Sequence, residues 1–520
     1  MKKTIELVLS PATADDKAAQ ITQAAKELAV SEDHITSLRV KKRSIDARSK
    51  NVRVRLQTDI YIDEAPPTQK PIVAEYKEVT SNSKRVIIVG AGPAGMFAAL
   101  KLIERGIRPI ILERGKDVQA RRRDLAAIQK EGIVNPDSNY CFGEGGAGTY
   151  SDGKLYTRST KRGNVEEALQ VLVAHGAHPD IMIDAHPHIG SNNLPKVVAA
   201  MRESILKAGG EIHFNSAVTD LIINNKTILG VQTRDGKEFL ADVVIIATGH
   251  SARDIFRLLH SKNITIEAKP FAMGVRVEHP QLMVDKDQYH SSTRDPNLPA
   301  ASYKLVAQAS ERGVFSFCMC PGGFIIPAAT APGELVLNGM SLSRRDSPFA
   351  NSGIVVAIDM EDLKPYEAHG VFAGVEYQSE LERMAFTAGG GTQAAPAQRL
   401  TDFINSRVST SLPNSSYQPG MVSSPLHELL PPAISKRLQQ GFQEFGKKMT
   451  DYLTDEAVIL GVETRTSSPI RIPRDTETLE HPDCKGLYPC GEGAGYAGGI
   501  ISAALDGVRV AEAIDRLLNN

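Results

Sequence analysis

Lys84-Arg85-Val86-Ile87-Ile88-Val89-Gly90-Ala91-Gly92-Pro93-Ala94-Gly95 is the stretch that decides the fold. Arg85 to Val89 is a short apolar run, and the six residues after it spell G-x-G-x-x-G. From Pro93 to Glu104, Ala94, Ala98 and Leu102 fall on one helical face, and Pro109 to Leu112 is a second apolar run. Strand, glycine turn, helix and strand within about 30 residues make a βαβ unit that binds a dinucleotide. Gly90 allows the tight turn, Gly92 lets a pyrophosphate approach the backbone, and Gly95 lets helix and strand pack closely. Pro93 takes the first helical position, where its missing N–H is not needed, and the helix N-terminus beside Ala94 attracts phosphate charge. About 20 residues on, Glu113 ends the second strand, followed by Arg114. A carboxylate there accepts hydrogen bonds from an adenosine ribose without a 2′-phosphate, as in FAD or NAD.

Downstream, Asn193 to Lys207 is predicted helical, and Val218 to Ile223, Ile228 to Thr233 and Phe239 to Ile246 are predicted strands. Asn224-Asn225 and Asp235-Gly236 occupy the turns between them, so the segment reads as a β-meander feeding an apolar strand. That strand stops at the small-residue turn Ala247-Thr248-Gly249. The tail repeats the logic: an apolar strand at Leu487 to Cys490, a glycine-rich turn from Gly491-Glu492 to Gly498-Gly499, and a helix from Ile500 to Leu518. A second G-x-G-x-x-G, Gly143 to Gly148, has no strand before it and is not a dinucleotide fingerprint. It is a flexible glycine loop whose backbone N–H groups can cradle a ligand.

The chain has 520 residues, enough for three to four domain-sized units. Upstream of Lys84, strand, helix and strand signals within residues 1–62 read as a small ferredoxin-like α+β unit, and the proline-bearing, polar run 63–83 reads as a linker. Sixty basic against sixty-one acidic residues leave no global field to steer nucleic acid or an anionic membrane. Five cysteines, an odd count, argue against a secreted disulfide framework and for a reducing compartment, so the expected location is cytoplasmic. No window approaches the roughly 20 apolar residues of a membrane span.

Together with these motifs, three further segments make a specific resemblance: Phe142 to Lys154 (FGEGGAGTYSDGK), Cys318-Met319-Cys320-Pro321-Gly322-Gly323, and Gly461 to Pro469 (GVETRTSSP). The sequence resembles, over nearly its whole length, a bacterial family of FAD-dependent dehydrogenases, also described as NAD(P)/FAD-dependent oxidoreductases. That family lies within the flavoprotein class of glutathione reductase and p-hydroxybenzoate hydroxylase. The fold class so implied is α/β, with three domains. Residues 84–249 and 461–520 form a split FAD-binding Rossmann-type domain with a β-meander. Residues 250–460 form an inserted mixed α+β cap on the substrate side, and residues 1–75 form the N-terminal unit. The resemblance implies bound FAD, with Gly145, Gly146, Ala147, Gly148, Thr149, Ser151 and Lys154 on the flavin. Val218 serves the adenine, and Ala247, Thr248 and Gly249 pass near the dinucleotide. Gly491, Glu492, Gly498, Gly499 and Ile500 hold the ribityl chain and the pyrimidine side of the ring.

The implied activity is oxidoreductase chemistry: hydride transfer through the flavin to or from a small-molecule substrate, with NAD(P)H as a transient reductant. A flavin monooxygenase is the enzyme alternative. It is disfavoured because Gly491-Glu492 replaces the Gly-Asp followed by Ala and His of aromatic hydroxylases. No second strand-fingerprint-helix provides a dedicated NAD(P)H domain, and no cysteine pair adjoins the first fingerprint. Lys154 is a candidate for stabilising negative charge and His250 for an acid. Cys318 and Cys320 read as two small buried or loop thiols on one strand face, at a separation that strains a disulfide. His186 and His188 read as turn residues rather than a metal pair, and no metal is expected. Arg121-Arg122-Arg123 reads as a wet helix face, the alternative being one arginine on a FAD phosphate or an acidic substrate, and Gln393 and Gln398 read as cap wall. Eight basic residues between Arg39 and Arg55 invite a second class of reading, a FAD-bearing sensor whose N-terminal unit binds RNA or a protein. No aromatic interleaves them for base stacking, so a solvated sheet face or an interdomain contact is preferred and nucleic acid is disfavoured.

Overall fold

The computed structural model describes residues 1–68, 71–157 and 163–519. Within the expected linker, residues 69 and 70 lie outside the described residues.

A five-stranded parallel sheet carries the fingerprint, in the order Leu487–Pro489, Val244–Ile246, Arg85–Val89, Arg108–Leu112 and Glu211–His213. Parallel strands covered on both faces need apolar residues on both, and Val86 to Val89 and Ile110 to Leu112 are all buried. The fold is split as expected: a strand from the chain's end lies at the sheet edge beside Val244–Ile246. Helix Pro93–Glu104 is apolar almost all round because it is clamped between this sheet and helix Ile500–Asn519. Gly507 permits the clamp, since a Cβ there would sit 2.1 Å from the Ala94 carbonyl oxygen.

Val218–Asn224, Thr227–Thr233 and Glu238–Leu240 form the antiparallel meander. The run predicted as one strand, Phe239 to Ile246, is two: its first part closes the meander and its last three residues enter the parallel sheet. The cap is built on a seven-stranded sheet ordered Val306–Ala309, Arg312–Cys320, Phe349–Ile358, Phe271–Pro280, Val458–Glu463, Ala395–Arg399 and Met421–Ser423. Helix Pro432–Lys448 packs Leu438, Phe442 and Phe445 into its core. The expected boundary at residue 461 falls inside strand Val458–Glu463, so we propose that the cap ends after this strand.

Residues 1–62 hold strand Lys2–Leu9, helix Lys17–Leu28 and strands Ile35–Asp46 and Arg53–Ile62, with Arg53–Ile62 central. Of the βαββαβ pattern of a ferredoxin-like unit this is the βαββ portion. Three residues of its basic stretch, Arg43, Arg48 and Arg55, pair with carboxylates of the same chain. Arg48 and Arg55 both meet Asp46, and Arg43 reaches Asp180, Asp184 and Asp15 at 2.9, 2.7 and 3.2 Å.

Candidate functional site

Strand ends Val89, Leu112 and Ala247 open at the carboxyl edge of the parallel sheet, where ligands of such sheets bind. One cavity runs from there to the cap sheet. From the fingerprint side it is lined by Gly90, Gly92, Pro93, Ala94, Glu113, Arg114 and Val218. Farther along come Ala247, Thr248, Gly249, His250, Gly146, Ala147, Gly148, Ser151, Lys154, Glu492, Gly498, Gly499 and Ile500. Most sequence-named site residues thus converge on one wall-to-wall space.

Four of them do not line it. A Cβ on Gly95 would lie 2.1 Å from the Gly90 carbonyl oxygen, so this glycine sets the helix–strand approach. Gly145 adopts φ +76° and presses on Thr149 Oγ1, which is buried and donates to the Glu144 carbonyl at 3.0 Å. The Gly491 N–H donates to Asp506 at 2.8 Å. These residues shape the walls rather than meet what fills them.

The glycine loop is held by a residue misjudged from sequence. Arg121 is not on a wet face: it has no exposure and donates to the carbonyls of Asn139, Glu144 and Gly146 at 2.8, 2.9 and 3.0 Å. A second brace is Glu144, also fully buried, which accepts from the Val118 N–H and from Arg202 at 2.8 and 2.9 Å.

The residues present fit FAD. At Gly92, Gly249, Gly498 and Gly499 an added Cβ would meet nothing within 4 Å, so bare backbone faces open space where a dinucleotide must come close. Thr248 Oγ1 is buried in the cavity wall with no protein partner, a polar atom that a ligand would satisfy. Glu113 is more committed than expected. It already accepts from the N–H groups of Ala91, Gly115 and Gly143 at 2.9, 2.8 and 3.0 Å, leaving one acceptor position for a ribose hydroxyl. Arg114 lies over the Phe142 ring and pairs with Asp137 and Asp254, so its charge is matched within the chain.

At the far end, Lys154 donates to the Met319 carbonyl and stands 3.8 Å from Asp152. Burial works against its charge, but the Cys318 and Cys320 thiols and Asp152 outweigh it and raise its pKa. Asp152 is buried too; Lys154 and Arg345, the latter 2.6 Å away, overcome that burial and hold it at about 2. His250 sits 4.0 Å from Glu492, with both side chains on the cavity. His188 is committed to the Ser343 carbonyl at 3.1 Å.

Sequence reasoning missed the cap's share of the wall: Phe317, Cys318, Asn338, Arg465 and Thr466. Alternation put Cys318 and Cys320 on one strand face. The structure gives Cys318 a φ of +45° and shifts the register between Phe317 and Cys320, so Cys318 opens on the cavity while Cys320 is fully buried. Arg465 is held by Glu382 at 2.8 and 2.9 Å and by Glu334 at 2.8 Å. Gln393 and Gln398 are not cap wall: both are buried away from the cavity, donating to the Glu334 and Arg407 carbonyls.

A parallel sheet with a glycine fingerprint, a meander and a cavity under an inserted sheet defines a Rossmann-type flavoprotein. Comparison with known proteins agrees. Residues 83–129 match an FAD binding domain, 185–341 an FAD dependent oxidoreductase, and 270–466 the C-terminal domain-like part of an FAD-dependent protein. Residues 1–61 match a domain of unknown function. An uncharacterized protein of Clostridium beijerinckii is 40% identical over 507 residues, 94% of each chain. A digeranylgeranylglycerophospholipid reductase of Methanocella arvoryzae is 28% identical over 170 residues, 32% of this chain and 38% of that one. Among solved structures, CtdE in complex with FAD and a substrate is similar at 12% identity and a TM-score of 0.37, covering 84% of this chain and 81% of that one. The chain belongs to the FAD-dependent oxidoreductase family: it is an enzyme, and its cofactor is FAD. Among the described residues no helix is long and apolar enough to cross a membrane.

Proposed function

We propose that this enzyme is a dehydrogenase or reductase that moves hydride between a small-molecule substrate and its flavin, with NAD(P)H docking transiently as reductant. When bound, FAD supplies the two-electron chemistry. The protein's residues supply position and charge. Gly90 to Ala94 and the N-terminus of helix Pro93–Glu104 would hold the pyrophosphate. Glu113, Thr248 and Glu492 offer acceptors or a hydroxyl toward the ribose and ribityl groups. Ser151 and the loop Gly146 to Gly148 wall the ring side, and Arg121 keeps that loop from yielding.

The observation that carries this reading is Lys154, a cation fixed by the Met319 carbonyl and Asp152 at the cap end of the cavity. Helix Ile500–Asn519 points its N-terminus at the same space, so two sources of positive potential face one place. Negative charge developing there is stabilised without reorganisation. His250, beside Glu492, is placed to hold or deliver a proton on the opposite wall.

The test is anaerobic absorbance of the purified holoenzyme during addition of NADH and then NADPH. Bleaching of the flavin bands by one nucleotide is the expected result. Flavin that stays oxidised with both, yet supports substrate-dependent oxygen consumption with another donor, would replace this reading by the monooxygenase one.

A further inference from the structure

The cap presents the cavity with a thiol that the proposed hydride chemistry does not use. Cys318 is partly exposed on the cavity wall, and Cys320, two residues on, has no exposure. The Cys320 thiol donates to the Cys318 carbonyl at 3.2 Å. Two residues of regular strand span about 6.6 Å between Cα atoms, the far end of the range of about 4.4–6.8 Å that a disulfide bridges, which is why regular strand geometry strains such a bond. Regular alternation is already broken at Cys318 by its left-handed backbone, so its side chain is not held to the strand's pattern.

Cations surround the pair. Arg276, fully buried, donates to the Cys318 carbonyl at 2.8 Å and approaches the Cys320 sulfur at 3.6 Å. It is itself fixed by Glu463 at 2.6 and 2.8 Å and by Asn351 at 2.9 Å. From the glycine-loop side, Lys154 grips the carbonyl of Met319, the residue between the two cysteines. The facing anions, Asp152 and Glu463, are each already paired with an arginine. A thiol in such surroundings ionises easily and becomes a nucleophile. The neighbouring Cys320 thiol, with Lys154 and Arg276, holds Cys318 well below the ordinary thiol range despite burial, while Cys320 is raised and keeps its proton.

We propose that Cys318 and Cys320 are a redox-active dithiol facing the cofactor cavity, Cys318 the nucleophile and Cys320 the resolving thiol, exchanging two electrons with FAD. This rests on the flavoenzyme reading above and deepens it by naming a second redox centre. In the oxidising direction the Cys318 thiolate and the Cys320 thiol lose one proton between them and form one S–S bond. Two electrons and one proton pass to the oxidised flavin. The proton that Cys318 shed on ionising has gone to solvent, so dithiol plus FAD balances disulfide plus reduced flavin. In the other direction the disulfide opens and Cys318 is the thiolate released toward the cavity, where a small disulfide could exchange with it. Arg276 and Lys154 are positioning residues: they fix the turn and favour the thiolate without touching electrons.

Two measurements on the holoenzyme decide it. After mild oxidation with diamide, trapping of free thiols and peptide mapping should show the peptide bearing Cys318 and Cys320 unalkylated and lighter by two hydrogen atoms. Anaerobic dithionite titration of the same oxidised protein should consume two two-electron equivalents per FAD, falling to one in Cys320→Ser. Cys318→Ser should give the same loss, so a single variant that fails to fold does not decide the matter. Alkylation of both Cys318 and Cys320 after oxidation, or one equivalent per FAD in the wild-type enzyme, would overturn the proposal. Flavin content is read separately from its absorbance. A protein that holds no flavin after reconstitution with FAD would refute the cofactor reading and the coupling with it, whereas a flavin-replete protein with an inert pair would refute the dithiol alone.

Discussion

Arg121 is a charged side chain without solvent exposure whose three hydrogen bonds end on carbonyl oxygens of the loop that walls the cavity. Its burial was legible, because Val118, Arg121, Leu125 and Ile128 share one helical face and all four are buried. The run of three arginines masked that face, since charge clusters are usually wet. Replacing Arg121 by Met keeps the stem and strips three buried acceptors of their donor, at about 1–3 kcal/mol each where water cannot substitute. Arg121→Met should therefore lower the melting temperature by several degrees and release flavin on gel filtration; full flavin retention would show that the loop holds itself. Lys154 acts differently, since it is 38% exposed and carries little packing. Lys154→Met removes positive potential where negative charge develops, so the flavin midpoint potential should fall, by about 30 mV for each tenfold loss of preference for the reduced state. An unchanged potential and an unchanged rate of anaerobic reduction would together exclude that role.

Strands and helices were more legible than their ends. The fingerprint, the meander turns and the tail helix lie where apolar period and turn residues put them. The run Phe239 to Ile246 failed because a hydrophobic count cannot see that Ala241 to Val243 carries the chain from one sheet to another. Strand Phe271–Pro280 shows what burial on both faces does to a titrating group. His279 has no exposure, donates through Nε2 to the Tyr452 carbonyl at 2.9 Å and leaves Nδ1 without a partner. Tyr452 also lies against it, with ring centroids 4.5 Å apart. Burial lowers its pKa from 6.5 to about 4. The folded state thus holds the neutral ring, and between those values only the unfolded chain takes up a proton. Stability from this residue is complete above pH 6.5 and is lost as pH falls toward 4, by about 3 kcal/mol at the limit. His279→Gln should flatten the melting-temperature profile of the cap between pH 6.5 and 4, whatever it does to the value at pH 7; a slope equal to wild type would place the pH sensitivity elsewhere.

For the whole molecule, the motif-bearing strands of the parallel sheet could be read from the sequence, but the cavity's cap wall could not. Cys318, Asn338 and Arg465 share one cavity with Lys154 through pairings between segments distant in sequence, and no local spacing encodes such a meeting. The same limit hid the seat of the N-terminal unit. Its basic strand read as a solvated face or an interdomain contact, without a partner segment; the Arg43 N–H donates to the Ile183 carbonyl at 2.7 Å and the Ala185 N–H returns to the Arg43 carbonyl at 2.9 Å. These two backbone bonds and two carboxylates on Arg43, Asp180 and Asp184, seat the unit on the segment just after helix Val165–Ala174. A partly exposed arginine with several partners contributes about 1–2 kcal/mol. Arg43→Ala should therefore leave flavin content unchanged while speeding protease cleavage between residues 71 and 83 by roughly five- to thirtyfold, that energy expressed as an opening equilibrium. Asp184→Ala should weaken the seat in part, and the double variant should cost less than the sum of the two, because one contact is counted in both. Additive effects would mean that Arg43 and Asp184 act separately. Unchanged cleavage in all three variants would mean that the two backbone bonds suffice to seat the domain.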